Sequence, residues 1–285
     1  MALSFSVSGS TPAAHRRRND PHRPRRRTTM NDTAATRPAP HKPTIVLVHG
    51  AFADSSSWNG VIPHLREAGY PVIAAANPLR GLAGDAAYVA SVVKGVEGPV
   101  VLAGHSYGGA VISEAAAGEA KVKALVYVAA FIPDKGESAL ELSNKYPGST
   151  LGPNLDALPF PLTDESASPL TDTGTGTDLY IKTEAFHDQF AADVPHSVTD
   201  LMAATQRPIA AAALEEPATV DTWRAIPSWS LVATADRNIP PAAQRFMSER
   251  AQARTEEIDA SHAVSVSRPE AVARLILRAA ESTTA

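Results

Sequence analysis

The chain contains no cysteine, which excludes disulfides, thiol nucleophiles and cysteine-ligated metal sites. It lacks any apolar run near the ~18 residues that a membrane-spanning helix needs. It also has no basic cluster beside the motifs described below, so a polyanionic ligand is not expected there. What is present is a 285-residue chain, 44% hydrophobic. That is enough for one large domain with a substantial core and an inserted segment.

Net charge is −4, unevenly placed. Residues 1–29 hold seven arginines against Asp20, a surplus of +6, which leaves −10 for the rest. The residues after the arginines, Thr28 to Thr33, are polar, whereas a twin-arginine export signal continues into an apolar stretch. Prolines interrupt the amphipathic helix of a transit peptide. The expectation is a disordered basic tail over 1–42, with Met30 the natural start and 1–29 extra upstream sequence. A nucleic-acid arm is the competing reading of these arginines. The body of the chain is expected to bind no nucleic acid and no membrane. It is expected to be cytoplasmic, as a monomer or homodimer.

From Pro43 the pattern alternates. Thr44–Val48 is an uncharged, β-branched run of strand length. A helix near 58–68, a strand at 71–75, a helix at 85–94 and a strand at Val100–Ala103 follow. Then come a helix to about 117 and a strand at 122–129. With right-handed crossovers this predicts an α/β fold, a doubly wound and mostly parallel sheet. Alternation stops between about 138 and 225, where Pro, Gly, Thr and Asp are frequent and helices are expected at 180–192, 198–204 and 210–214. This reads as an inserted, mainly helical lid (138–225) on a core of 43–137 and 226–285. Alternation resumes with a strand at 228–234, a proline-started helix to about 251 and a short strand at 255–258. Ser267-Arg268-Pro269-Glu270 has the spacing of a capping box opening the last helix.

Gly104-His105-Ser106-Tyr107-Gly108 sits between a strand and a helix. A turn that sharp strains the backbone at Ser106 and leaves room only for tiny residues two before and two after it. A serine hydroxyl needs a base, and the base needs an acid to hold its tautomer. Function in open parallel sheets gathers at the carboxyl ends of strands. Of nine histidines, only His262 lies in a loop after the last strand. Asp236 ends the preceding one; the competing reading makes it a helix cap, and Asp221 and Asp259 are weaker candidates. The backbone N–H groups of Tyr107 and of Ala51, or alternatively Phe52, would receive an oxyanion. His49 reads as structural. Phe52, His105, Phe131, Phe160, Phe186 and Trp223 are candidate pocket residues, each also a plausible core residue. No metal or organic cofactor is expected.

His49-Gly50-Ala51-Phe52, Gly104-His105-Ser106-Tyr107-Gly108-Gly109, Asp236-Arg237-Asn238-Ile239-Pro240 and Ser261-His262 together resemble the α/β-hydrolase superfamily. Within it they resemble the small serine esterases grouped with plant methyl-salicylate-type esterases and hydroxynitrile lyases. The resemblance covers about 43–282. It implies a catalytic Ser106–His262–Asp236 triad and an oxyanion hole from Ala51 and Tyr107. With no basic cluster aimed at the site, the expected reaction is hydrolysis of a small, neutral, moderately hydrophobic ester or lactone. Serine, not aspartate, stands at the turn, unlike dehalogenases and epoxide hydrolases. Ala51 and Ala263 replace the threonine and lysine of the lyases. Perhydrolase, amidase or lyase chemistry on the same residues is the alternative, as is a non-catalytic small-molecule receptor.

Overall fold

The computed structural model describes residues 42–162 and 174–283. The tail and Met30 lie outside the described residues. The central sheet has six parallel strands in the order β2-β1-β3-β4-β8-β9. In chain order the elements begin with β1 (Thr44–Val48), α1 (Val61–Glu67), β2 (Val72–Ala75), α2 (Leu82–Lys94), β3 (Val100–His105), α3 (Gly108–Ala115) and β4 (Val122–Val128). After an insertion come β8 (Ser228–Ala233), α8 (Pro241–Arg250), β9 (Arg254–Ile258), α9 (Val264–Ser267) and α10 (Pro269–Glu281). All five neighbouring strand pairs are parallel. The expected doubly wound sheet is therefore what the chain forms.

Strand alternation builds two core layers. Val46, Val48, Val100 and Leu102 face one side with residues of α2 and α3, whereas Ile45, Leu47, Val101 and Ala103 face the other with Trp58, Leu65 and α10. Successive side chains on a strand point to opposite faces, so a fully uncharged strand such as β1 serves both layers. From β1 the chain moves outward to β2, then crosses back over β1 to β3. Strand order thus reverses between β1 and β3, which opens a crevice at their carboxyl ends.

The insertion differs in part from expectation. It holds α4 (Ala139–Asn144), β5 (Leu155–Pro161), β6 (Thr175–Ile181), α5 (Phe186–Phe190), α6 (His196–Thr205), β7 (Ile209–Ala210) and α7 (Ala211–Glu215). β5, β6 and β7 form a separate antiparallel sheet. Tyr180, expected in a helix, lies in β6. The proline-rich spelling of β5 hid it, because Pro159 and Pro161 are tolerated only on an edge strand, and β5 is one. The last helix also starts differently. Arg268, not Ser267, is its N-cap and makes no side-chain cap bond, and the Ser267 hydroxyl is buried without a partner among the described residues. The capping box forms instead at Ser138 and Glu141, opening α4.

Candidate active site

Ser106 joins β3 to α3 with a left-handed backbone, φ 55°. The flanking glycines are dictated by contact. A Cβ at Gly104 would lie 2.4 Å from the Gly108 carbonyl oxygen, and one at Gly108 would lie 2.5 Å from that of Val48. Either approach is far inside ordinary packing. The turn is pinned by the Ser106 carbonyl, which accepts from the N–H groups of Gly109 and Phe131.

The structure brings three distant residues into one relay. The Ser106 hydroxyl donates to His262 Nε2 at 2.9 Å, and His262 Nδ1 donates to Asp236 Oδ2 at 2.6 Å. All three are buried. Asp236 leaves no acceptor idle: Oδ1 takes the N–H groups of Asn238 and Ile239, and Oδ2 also takes the Gln244 amide. Local turn-capping and holding the histidine are thus done by different oxygens of one carboxylate. His262 Nδ1–H is the tautomer that this carboxylate selects, which leaves Nε2 free to accept a proton.

The Ala51 and Tyr107 N–H groups, both on cavity-lining residues, have no partner among the described residues. The Phe52 N–H donates to the Arg207 carbonyl at 3.0 Å, which removes it as the alternative donor. His49 holds the Ala51 loop in place. Its Nδ1 donates to the Gly50 carbonyl, its Nε2 accepts from the Asn77 N–H, and the Asn77 amide donates to its carbonyl. Burial lowers its pKa, so it stays neutral.

Beside Ser106 lies a cavity of about 130 Å³ walled by Phe52, Phe131, Leu151, Leu155, Leu179 and Ile239, with Asn144 and Asn238 as polar neighbours. Among the described residues, no Asp, Glu, Lys, Arg or His lines it. Of the six candidate pocket residues, Phe52 and Phe131 are in this wall. The other four are corrected. His105 is buried behind His262, its ring 4.7 Å away and its Nε2 donating to the His262 carbonyl. Burial, reinforced by that neighbour, pushes its pKa down to about 3. Phe160 is half-buried on edge strand β5 under the Arg80 guanidinium. Phe186 is core, its ring tilted against that of Phe190 at 5.1 Å. Trp223 donates to the Pro133 carbonyl and lies beneath Arg224. Phe160, Phe186 and Trp223 are bulky apolar side chains, and residue type alone does not separate core from pocket.

One contributor escaped the sequence reading: Gln244, on α8, holds Asp236. Phe190 packs its ring nearly perpendicular to His262 at 5.1 Å. Gln244 lies eight residues beyond Asp236, but nothing in that spacing marks it until the helix direction is known.

A family model described as alpha/beta hydrolase family matches residues 45–275. Over 113 residues the chain is 34% identical to a carbendazim hydrolyzing esterase of Nocardioides sp. strain SG-4G, covering 35% of this chain and 47% of that protein. The match therefore spans about half of that relative. An alpha/beta hydrolase of Aspergillus novofumigatus is 25% identical over 261 residues, 84% of this chain and 97% of the relative. Among solved structures, polyneuridine aldehyde esterase superposes with a TM-score of 0.71 at 19% identity, covering 84% of this chain and 99% of its own. The parallel sheet, the strained serine turn at its switch point and the family match over most of the chain agree, and the chain belongs to the α/β-hydrolase family.

Proposed function

We propose that this protein hydrolyses small uncharged carboxylic esters through an acyl-enzyme on Ser106. The observation that carries the reading is the unbroken relay from the Ser106 hydroxyl through His262 to Asp236. Ser106 Oγ attacks the ester carbonyl carbon as its proton passes to His262 Nε2. The carbonyl π electrons move onto oxygen, where the Ala51 and Tyr107 N–H groups receive them. When the carbonyl re-forms, the bond to the alcohol oxygen breaks, and that oxygen takes the proton from His262. Water then loses a proton to His262, attacks the acyl carbon and releases the acid, returning the proton to Ser106. Asp236 holds His262 Nδ1–H and stabilises the imidazolium.

The cavity wall supports an uncharged acyl group, because a buried charge there would find no partner. The insertion supplies Leu151, Leu155, Leu179 and Leu214 to that wall, and we assign it the role of a lid. Two of the relatives are themselves named as esterases, which supports ester over amide or peroxide chemistry.

The test is hydrolysis of p-nitrophenyl acetate by the wild type and by Ser106→Ala. Loss of the nucleophile is expected to lower kcat by about 10⁴–10⁶-fold. A serine-directed fluorophosphonate is expected to add to Ser106, located by peptide mass spectrometry. Unchanged turnover in Ser106→Ala would overturn the assignment. Tight ligand binding with no turnover and no adduct would identify a receptor.

A further inference from the structure

The wall of the cavity beside Ser106 is apolar except for a few side chains. Ser143 spends its hydroxyl on the Asn238 carbonyl, Ser149 accepts from the Leu151 N–H, and Asn144 is exposed to solvent. Asn238 is different: it lines the cavity and is itself only 3% exposed. It follows Asp236 by two residues, and its N–H donates to Asp236 Oδ1. Its backbone is therefore fixed by the same turn that carries the acid of the relay.

The side chain is fixed as well, and so is its polarity. Gln189 Nε2 lies 2.6 Å from the Asn238 side-chain oxygen and 2.9 Å from the Arg237 carbonyl. A backbone carbonyl only accepts, so the Gln189 atom facing Arg237 is the amide nitrogen. The other end of that amide agrees: Oε1 accepts from the Thr150 hydroxyl and the Asn154 amide, at 2.7 and 2.9 Å. Both Gln189 hydrogens are thus spent, on Arg237 and on Asn238. The Asn238 atom facing Gln189 has to accept, which makes it Oδ1 and turns Nδ2 to the opposite side. Nδ2 has no partner among the described residues, yet it is not enclosed by protein, and the open space that Asn238 lines is the cavity. A chain of amides from Asn154 through Gln189 therefore presents a donor, and not an acceptor, to the space beside the serine. A buried donor left unpaired costs stability, and such groups are normally completed by water or by a ligand.

The surroundings decide what completes it. Among the described residues, no cation lines the cavity. A carboxylate or phosphate would meet a single neutral donor and no counter-charge, and burial would penalise it. A neutral oxygen carries no such penalty. We infer that Asn238 is a specificity-determining residue, whose Nδ2–H binds a neutral oxygen, of ether or carbonyl type, in the acyl group of the ester. The substrate class is thus an ester of a small acid that bears a second oxygen acceptor, in preference to an ester of a plain alkanoic acid.

This inference rests on the ester-hydrolase reading, and the two fail differently. Two pairs of phenyl esters, each exchanging one methylene for oxygen, are compared: butanoate with methoxyacetate, and pentanoate with 3-methoxypropanoate. The oxygen preference is the ratio of kcat/KM within a pair, measured in the wild type and in Asn238→Leu. Leucine keeps the size of the side chain and removes the donor, and any effect of the substitution common to both esters cancels in the ratio. In at least one pair the preference is expected to fall about fivefold in the variant, mostly through KM. The wild type supplies a second readout that needs no variant. In the same pair its preference is expected to exceed the ratio of the two hydroxide-catalysed rates by a similar factor. Preferences unchanged in Asn238→Leu for both pairs would overturn the inference while leaving the hydrolase reading intact, and so would wild-type preferences no greater than those of hydroxide. Absence of turnover with all four esters, together with no fluorophosphonate adduct on Ser106, would remove the hydrolase reading and the inference together.

Discussion

Ser106 spends strain energy to be where it is. A non-glycine residue at φ 55° costs of order 1–2 kcal/mol, and the surroundings must hold it there. The Gly104 site shows how tightly they do so, since an added methyl would meet the backbone of the next turn at 2.4 Å. Gly104→Ala is accordingly expected to cost about 2–3 kcal/mol and to lower the melting temperature by about 5–10 °C. Esterase turnover should fall with it, because the strand and helix can part only by moving Ser106. A variant with wild-type melting and turnover would contradict this account. The motif was legible at this scale because sterics leave so few residue types at the turn. The pocket was not: Phe131 and Phe186 look alike in the sequence, yet one lines the cavity and the other is core.

At the scale of elements, the insertion is fastened to the core by carboxylates. Glu114, on α3, accepts from the N–H groups of Thr219 and Val220 and from the Thr219 hydroxyl. Glu216 reaches the other way and accepts from the N–H groups of Leu82 and Ala83, at 2.5 and 3.3 Å, at the start of α2. The first N–H groups of a helix have no internal partner, and the dipole there favours an anion. The α2 N-cap, Gly81, has no side chain to supply one, so the cap arrives from 134 residues away in sequence. Glu216→Gln keeps one acceptor but removes the charge. It is expected to cost about 1 kcal/mol, read as a lower urea midpoint, and to speed amide exchange at Leu82 and Ala83. Unchanged exchange at those two amides would show that the contact carries no weight. No local pattern could reveal such a cap, whereas the capping box at Ser138 lies within four residues.

For the whole molecule, the buried histidines set an acid limit. His49 and His105 are both held below the ordinary histidine pKa by burial, His105 down to about 3. In the unfolded chain each takes a proton near 6.5. Below that value the unfolded state binds more protons than the folded one, so stability falls as pH falls from about 6.5 toward 3. The slope approaches about 1.4 kcal/mol per pH unit per histidine. Asp85 acts in the opposite sense. Burial raises its pKa, so the folded state keeps that proton longer and loses relative stability as pH rises through the carboxylate range. The urea midpoint is therefore expected to drop between pH 7.5 and pH 5, and to drop less in His105→Gln, which still offers a donor to the His262 carbonyl. Equal drops in the two proteins would dissociate His105 from the acid limit.

The sequence by itself determined the parallel sheet, the serine turn and the identity of the relay. These follow from the alternation of uncharged strand-length runs with helical ones, from steric exclusion at Gly104 and Gly108, and from the order in which strand ends present Ser106, Asp236 and His262. Only the tertiary structure decided which phenylalanines face the cavity and that Phe52 spends its N–H on Arg207. Those facts depend on where the insertion lies against the core. That placement is set by contacts between residues more than a hundred positions apart, such as Glu216 with Leu82, and no local periodicity encodes them.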